Sequence, residues 1–195
     1  MSTPADTVAA KFRQALIEGR LPDPPERLTL AQVGITDSEL VELFESQILS
    51  RQLDLHARRL QAKGEAFYTI GSAGHEGNAA FGKAFPYTDP AFLHYRDAAF
   101  LIQRSKALPG QSICHDMLLS FAASADDPVS GGRHKVLGSK ALNIPPQTST
   151  IASHLPKAVG AAFSINLNKK LGQIGEWHPD SLVLCSFGDA SFNHS

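Results

Sequence analysis

The carboxy-terminal stretch Leu182-Val-Leu-Cys-Ser-Phe-Gly-Asp-Ala-Ser-Phe-Asn-His-Ser195 decides how the chain is read. Leu182 to Ser186 is an apolar and small run, of the length of a buried strand. Gly188-Asp189 breaks that run where open parallel sheets seat their ligands, just past a strand's carboxyl end. A carboxylate there suits a hard divalent cation, and such a cation suits a diphosphate. The same dipeptide is also an ordinary turn sequence.

Working upstream, Gly172 to Asp180 links this strand to a helix expected from Ser153-His154-Leu155-Pro156 to about Leu171, with Pro156 in its first turn. Val159, Ala162, Phe163 and Leu167 are its expected apolar face. Asp126 to Pro146 has little apolar periodicity and reads as a long loop, a length that goes with function or mobility. Helix, loop, buried strand and Gly-Asp turn, in that order, suit one layer of an α/β sandwich. Further helices are expected from His94 to about Arg104, from Gln111 to Ala123 and from Glu76 to Phe85, the last following a loop of small residues from Gly64 to Gly77. Thr36 and Glu39 form a capping-box pattern ahead of a long helix from Asp37 to about Lys63. Its arginines, Arg51, Arg58 and Arg59, are expected on a solvated face. Residues 1–35 read as an N-terminal arm, with a short helix over Asp6 to Glu18 and an extended piece from Leu21 to Leu30. Residues 36–195 read as one domain.

Composition narrows the function classes. The 195 residues are 43% hydrophobic and carry a formal net charge of −1, which gives no general attraction to nucleic acid or an anionic membrane. No stretch approaches the ~18 apolar residues of a membrane span, and no secretory signal pattern opens the chain. Cys114 and Cys185 form no CxxC pair, and a reduced, cytoplasmic setting is the simplest expectation. Six of the eight histidines recur at nearly even intervals, but their flanking residues do not match, so the spacing is no repeat.

Four constellations carry possible chemistry. Gly188-Asp189 with Asn193 reads as a metal–diphosphate turn or as a turn alone. Tyr95-Arg96 offers paired donors to phosphate oxygens, or Arg96 is a surface cation paired with Asp97. Gly131-Gly132-Arg133-His134-Lys135 is a glycine-rich basic loop that closes over an anion or is simply solvated. In Gly71 to Gly77, His75 is a proton donor or substrate-orienting group, or else a cap of the following helix.

Taken in order, these pieces resemble the alpha subunit, or the alpha half of a fused alpha/beta chain, of the decarboxylating component of 2-oxo acid dehydrogenase complexes. The resemblance runs from about Leu40 to Ser195. It rests on the Gly71 to Gly77 loop, on His94-Tyr95-Arg96-Asp97, on Gly138-Ser139-Lys140 followed by Thr148 to Ala162, and on Phe187-Gly188-Asp189-Ala190. It implies an α/β thiamine diphosphate-binding fold with a parallel sheet flanked by helices, incomplete because the chain ends early. It implies thiamine diphosphate and Mg2+ as cofactors, with Asp189 as metal ligand, Tyr95 and Arg96 on the diphosphate, and Gly188, Asp189 and Ala190 in the cofactor turn. Ile151 would prop the cofactor into its bent shape, and His75 and His134 are candidates for the substrate side. The implied reaction is oxidative decarboxylation of a 2-oxo acid with acyl transfer to lipoamide. The implied partners are a beta subunit or beta half and a lipoyl-bearing acyltransferase, in an oligomer. Ala190 replaces the family's second glycine, so the turn must accommodate a Cβ, and His154 stands where the family often has glutamine near a monovalent-ion site. A transketolase-like enzyme, or a non-catalytic fragment that only associates with a partner, are the competing expectations.

Overall fold

The computed structural model describes residues 4–21, 28–67, 70–173 and 175–193. The chain divides into two compact units, Met1–Asp37 and Ser38–Ser195. In the first, α1 (Pro4–Ile17) covers the expected short helix. The extended piece expected over Leu21 to Leu30 lies largely outside the described residues. A short α2 (Leu30–Val33) follows, where Thr29 and Gln32 form a complete capping box. Side chain and backbone satisfy each other there, which holds a single turn together.

In the second unit, α3 (Asp37–Ala62) is the long helix read from the sequence. Its buried face is small and polar, however: Ser46, Ser50, Leu53, Asp54 and Ala57 face inward, while Phe44 and Ile48 are exposed. Small residues let a neighbouring helix approach, and Ser46 Oγ donates to Gln103 Oε1 at 2.7 Å across that contact. After a 3-10 turn at Glu76–Asn78 comes α4 (Ala79–Ala84), which Lys83 ties to Glu39 of α3 at 2.7 Å.

Strand β1 (Ala91–Phe92), absent from the sequence reading, runs into a turn at 94–97, and α5 (Ala98–Ser105) begins only after it. Tyr95-Arg96 is therefore a loop corner rather than a helix start. The cause is local: the Asp97 carboxylate accepts from the His94 N–H at 3.1 Å, and the Asp97 N–H returns to the His94 carbonyl at 3.0 Å. A side chain satisfying backbone in this way competes with helix. Next comes α6 (Ile113–Phe121). The segment expected to be one long loop contains an antiparallel pair, β2 (Leu137–Ser139) and β3 (Ile144–Gln147). Pro145 and Pro146 hid that strand, since proline cannot donate to a ladder and sits only at sheet edges.

Helix α7 (Leu155–Leu171) starts with proline in its first turn and ends at Gly172 in the left-handed conformation, φ 64°. Its orientation is the reverse of the expectation. Ala158, Ala161 and Ile165 face inward, whereas Val159, Phe163 and Leu167 are exposed. Ala158 and Ala161 pack with Phe92 of β1, so small residues set how closely the helix sits on the sheet. The final strand, β4 (Leu184–Cys185), pairs in parallel with β1, Ala91 opposite Leu184 and Phe92 opposite Cys185. It is only half-buried, not the buried strand expected. The short α8 (Asp189–Phe192) follows it. The architecture is thus mixed helix and sheet around a small parallel sheet.

The main core gathers Leu53, Leu93, Leu101, Met117, Phe121, Leu137, Leu142 and Ile144 from α3, α5, α6 and the β2–β3 segment. Inside it lies a fully buried arginine, Arg104. Its Nη1 donates to the carbonyls of Asp89 and Leu142 at 2.8 and 3.2 Å, and its guanidinium stacks 4.6 Å over the Phe100 ring. Burial lowers its pKa to about 10.

Helices α4 and α5 approach closely. A Cβ on Gly82 would meet the Phe100 carbonyl oxygen at 2.6 Å, whereas Gly160 of α7 has open space around it. Gly82→Ala is therefore expected to lower stability by about 1–3 kcal/mol. Gly160→Ala is expected to raise it by up to about 1 kcal/mol through helix propensity. Urea denaturation of the two variants checks both signs.

Candidate functional site

The parallel pairing of β1 with β4 brings two loops to one edge of the sheet. Past the carboxyl end of β1 comes the 94–97 turn with Tyr95 and Arg96. Past the carboxyl end of β4 come Ser186, Phe187 and then Gly188-Asp189. The two loops touch. The His94 N–H donates to Ser186 Oγ at 2.8 Å, and His94 Nε2 lies 3.5 Å from the position a Cβ would take on Gly188.

Asp97 holds this junction together. Its fully buried carboxylate accepts from His75 Nδ1 at 2.7 Å, from Asn78 Nδ2 at 2.7 Å, from the His94 N–H and from the Ser186 hydroxyl. A buried carboxylate is tolerable only when its lone pairs are filled in this way. Around it lie anchors for the loops. Asp54 of α3 takes the Ser72 N–H at 2.6 Å and the Ser72 hydroxyl at 3.2 Å, and burial raises its pKa against those hydrogen bonds. Arg96 Nη1 donates to the Gly71 carbonyl at 2.7 Å, and its guanidinium lies 5.1 Å from the Tyr95 ring centre. Lys135 is buried and reaches the Tyr95 carbonyl at 3.3 Å; desolvation lowers its pKa to about 8, with Asp54 opposing the shift and Arg96 adding to it. His154, ahead of α7, donates its Nε2–H to the Ser186 carbonyl at 2.7 Å, since a carbonyl can only accept.

Comparison with known proteins points the same way as the geometry. The chain is 28% identical over 166 residues to the 2-oxoisovalerate dehydrogenase subunit alpha of Bacillus subtilis, a match covering 83% of this chain and 46% of that protein. It is 26% identical over 172 residues to the 2-oxoisovalerate dehydrogenase subunit alpha 2, mitochondrial, of Arabidopsis thaliana, covering 87% of this chain and 33% of the relative. It is 25% identical over 177 residues to the mitochondrial subunit alpha of Mus musculus, covering 89% and 35%. The chain is a relative of 2-oxo acid dehydrogenase alpha subunits. It spans less than half the length of the curated relatives it matches. No family model matches it. No helix among the described residues is long and apolar enough to cross a membrane.

In this relative of the alpha subunits, the residues singled out in the sequence fall into two groups. Tyr95, Arg96, His75 and Gly188 belong to the junction just described, and Asp189 and Ala190 follow Gly188 at its exposed rim. Ile151 and His134 are joined to it through neighbours. Ile151, 42% exposed, shares a turn with His154 and with Ala152, whose φ of 60° is unusual for a residue with a Cβ. His134 is exposed, with its carbonyl accepting from Ser130 Oγ at 2.6 Å, and precedes the buried Lys135. Two alternative readings change. Arg96 goes to the Gly71 carbonyl while Asp97 serves His75, and His75 occupies the helix-cap position without capping through its side chain. Arg51 is exposed, as expected of a solvated face, and also pairs with Glu76.

Sequence reasoning missed Asp97, Asn78, Ser186 and the burial of Lys135. From the sequence Asp97 reads as a surface partner of Arg96 and as the last residue of the His94-Tyr95-Arg96-Asp97 motif, with no role of its own. The one available signal was its place directly after Tyr95-Arg96.

Two cavities differ in their relation to this junction. One of about 380 Å³ between the β2–β3 segment and Trp177 shares no lining residue with it. Another of about 350 Å³ is lined by Phe81, Phe85, Phe100 and Phe187 and reaches the junction at Asn78 and Ser186.

His94 is buried between the His75 ring, 4.8 Å away and nearly parallel, and the Tyr95 ring at 3.9 Å. Desolvation lowers its pKa from 6.5 to about 4, against the pull of Asp97. Its folded-state pKa is below its unfolded value, so stability is full above pH 6.5 and falls as pH drops towards 4, where the folded ring finally takes up the proton. Between pH 7 and pH 5 the chain is expected to lose about 1–2 kcal/mol on this account. His94→Gln should remove that part of the slope in urea denaturation at the two pH values.

Proposed function

We propose that this chain supplies the alpha side of a thiamine diphosphate site, in an enzyme that oxidatively decarboxylates a 2-oxo acid and passes the acyl group to lipoamide on a partner protein. One observation carries the reading: Tyr95-Arg96 and Gly188-Asp189 follow neighbouring parallel strands and meet at one sheet edge. On this reading residues 36–195 belong to a thiamine diphosphate-binding domain and residues 1–35 form an N-terminal arm.

The donor set fits the cofactor. Arg96 spends one nitrogen on Gly71, His75 is half-buried, and the Asp189 carboxylate is exposed past the next strand. A cation past one strand and a carboxylate past its neighbour are what a Mg2+-bridged diphosphate asks of a protein. In this arrangement Tyr95 and Arg96 hold diphosphate oxygens, and Asp189 binds the metal. Gly188 and Ala190 shape the turn; with the Ala190 side chain exposed, its Cβ meets open space. Ile151 supports the cofactor's rings, and His75 and His134 face the 2-oxo acid. Thiamine diphosphate, when bound, supplies the electron sink that lets carbon dioxide leave.

The relatives are named for 2-oxoisovalerate, so a branched-chain 2-oxo acid is the first substrate to try. A beta subunit completes the assembly. The exposed apolar residues Val159, Phe163, Leu167 and Leu171 on α7 support a protein partner, since a face of that kind is costly to leave in water.

Isothermal calorimetry on the chain assembled with its beta partner tests the reading. Thiamine diphosphate is expected to bind only with Mg2+. Arg96→Ala should weaken binding by about tenfold or more, the scale of a lost charge-assisted hydrogen bond. Asp189→Asn should abolish the Mg2+ requirement together with tight binding. No binding by the wild-type assembly would end the proposal. Binding without carbon dioxide release from any 2-oxo acid would favour a transketolase-like reaction instead.

A further inference from the structure

His75 is held in one orientation, and the way it is held says what the ring does. The Asp97 carboxylate accepts its Nδ1 at 2.7 Å. An ionised carboxylate can only accept, so Nδ1 carries the hydrogen. In the neutral ring the lone pair then sits on Nε2, on a side chain that remains 21% exposed. Asp97 cannot turn away from this duty. Asn78 shares the same carboxylate oxygen, while the His94 N–H and the Ser186 hydroxyl occupy the other. His94 stacks on the ring with planes 15° apart and limits its rotation. Glu76, next in sequence, is engaged elsewhere, by Arg51 and the Gly74 N–H.

This is the arrangement in which a buried carboxylate fixes the tautomer of a histidine whose other nitrogen meets a ligand. We propose that Asp97 is the positioning residue for His75, locking Nδ1–H inward so that Nε2 meets an oxygen of the bound 2-oxo acid. Nε2 donates when the ring is charged and accepts when it is neutral. The inference rests on the 2-oxo acid reading for its ligand and adds to it a residue that touches no substrate. The charged and titratable groups around the ring are Asp97, His94, Arg96 and the Arg51–Glu76 pair.

The deciding measurement is the tautomer of His75 by 15N NMR of the histidine-labelled chain, assigned with His75→Gln. A free histidine side chain favours the hydrogen on Nε2; His75 in the wild-type chain is expected to carry it on Nδ1. In Asp97→Asn the preference should revert. In the beta-containing assembly, kcat/KM for a 2-oxo acid should fall about 10²-fold or more with an altered pH profile, the scale of a lost acid–base group. Should Asp97→Asn fail to fold, the wild-type tautomer still decides. A His75 ring carrying its hydrogen on Nε2 overturns the inference, as does a folded Asp97→Asn assembly with an unchanged pH profile. The failures are separable: an Nδ1–H ring in an assembly that releases no carbon dioxide counts against the reaction, whereas an Nε2–H ring in an active assembly counts against Asp97 alone.

Discussion

A single buried carboxylate organises the functional half of this protein. Asp97 is fully buried, and an ionised group in that position is sustained only by hydrogen bonds that fill its lone pairs. The donors come from the loop before the 3-10 turn, from the turn itself, from the end of β1 and from the end of β4. Withdrawing any one of these segments would leave charge uncovered in a dry environment. The sheet alone gives little to resist that. Parallel β1 and β4 share only the pairs Ala91–Leu184 and Phe92–Cys185, flanked by bonds from the Leu184 N–H to Pro90 and the Ser186 N–H to Phe92, both 3.0 Å. Convergence on Asp97 ties the two strand ends together where ladder bonds have run out.

A second layer of polar contacts repeats one device. Arg96 holds the Gly71 carbonyl, Lys135 the Tyr95 carbonyl, and His154 the Ser186 carbonyl. In each case a side chain from one segment seizes the backbone of another. Loops carry carbonyls that no ladder satisfies, and buried carbonyls must be satisfied somewhere. Arg104 does the same for Asp89 and Leu142 deeper in the core. The apolar cluster supplies bulk stabilisation, and these donors specify which loop lies against which.

How much of this the residues disclose depends on the range of the interaction. Helices with strong local signals were legible: the stop at Gly64 after α3, and the proline start and glycine end of α7. Gly188-Asp189 and Tyr95-Arg96 were legible as separate pieces. Their meeting was implied by the family resemblance and not by any strand signal, because β1 is two residues long and leaves almost no periodic trace. Tyr95-Arg96 looked like a helix start because nothing local announces that Asp97 will bond back to His94. The face of α7 was misread for a related reason. Size and apolarity pointed to Val159 and Phe163, whereas the sheet selected the small side of the helix, Ala158 and Ala161. Where packing is close, shape outranks hydrophobicity.

Electrostatics completes the argument about what the junction can accept. Asp97 is spent on His75 and its other donors, and Asp54 is spent on Ser72, with its pKa raised by burial. That leaves the cations. Arg96 contacts a carbonyl rather than a carboxylate, and Lys135 has its pKa lowered to about 8, first by burial and then by Arg96. Two neighbouring positive groups gain from any anion placed between or beside them, and an anion beside Lys135 opposes the lowering of its pKa. The exposed carboxylate nearest in sequence to the junction's Gly188 is that of Asp189, past the next strand. The carboxylates inside the junction are already hydrogen-bonded, so the groups left there to meet a charged ligand are the cations Arg96 and Lys135.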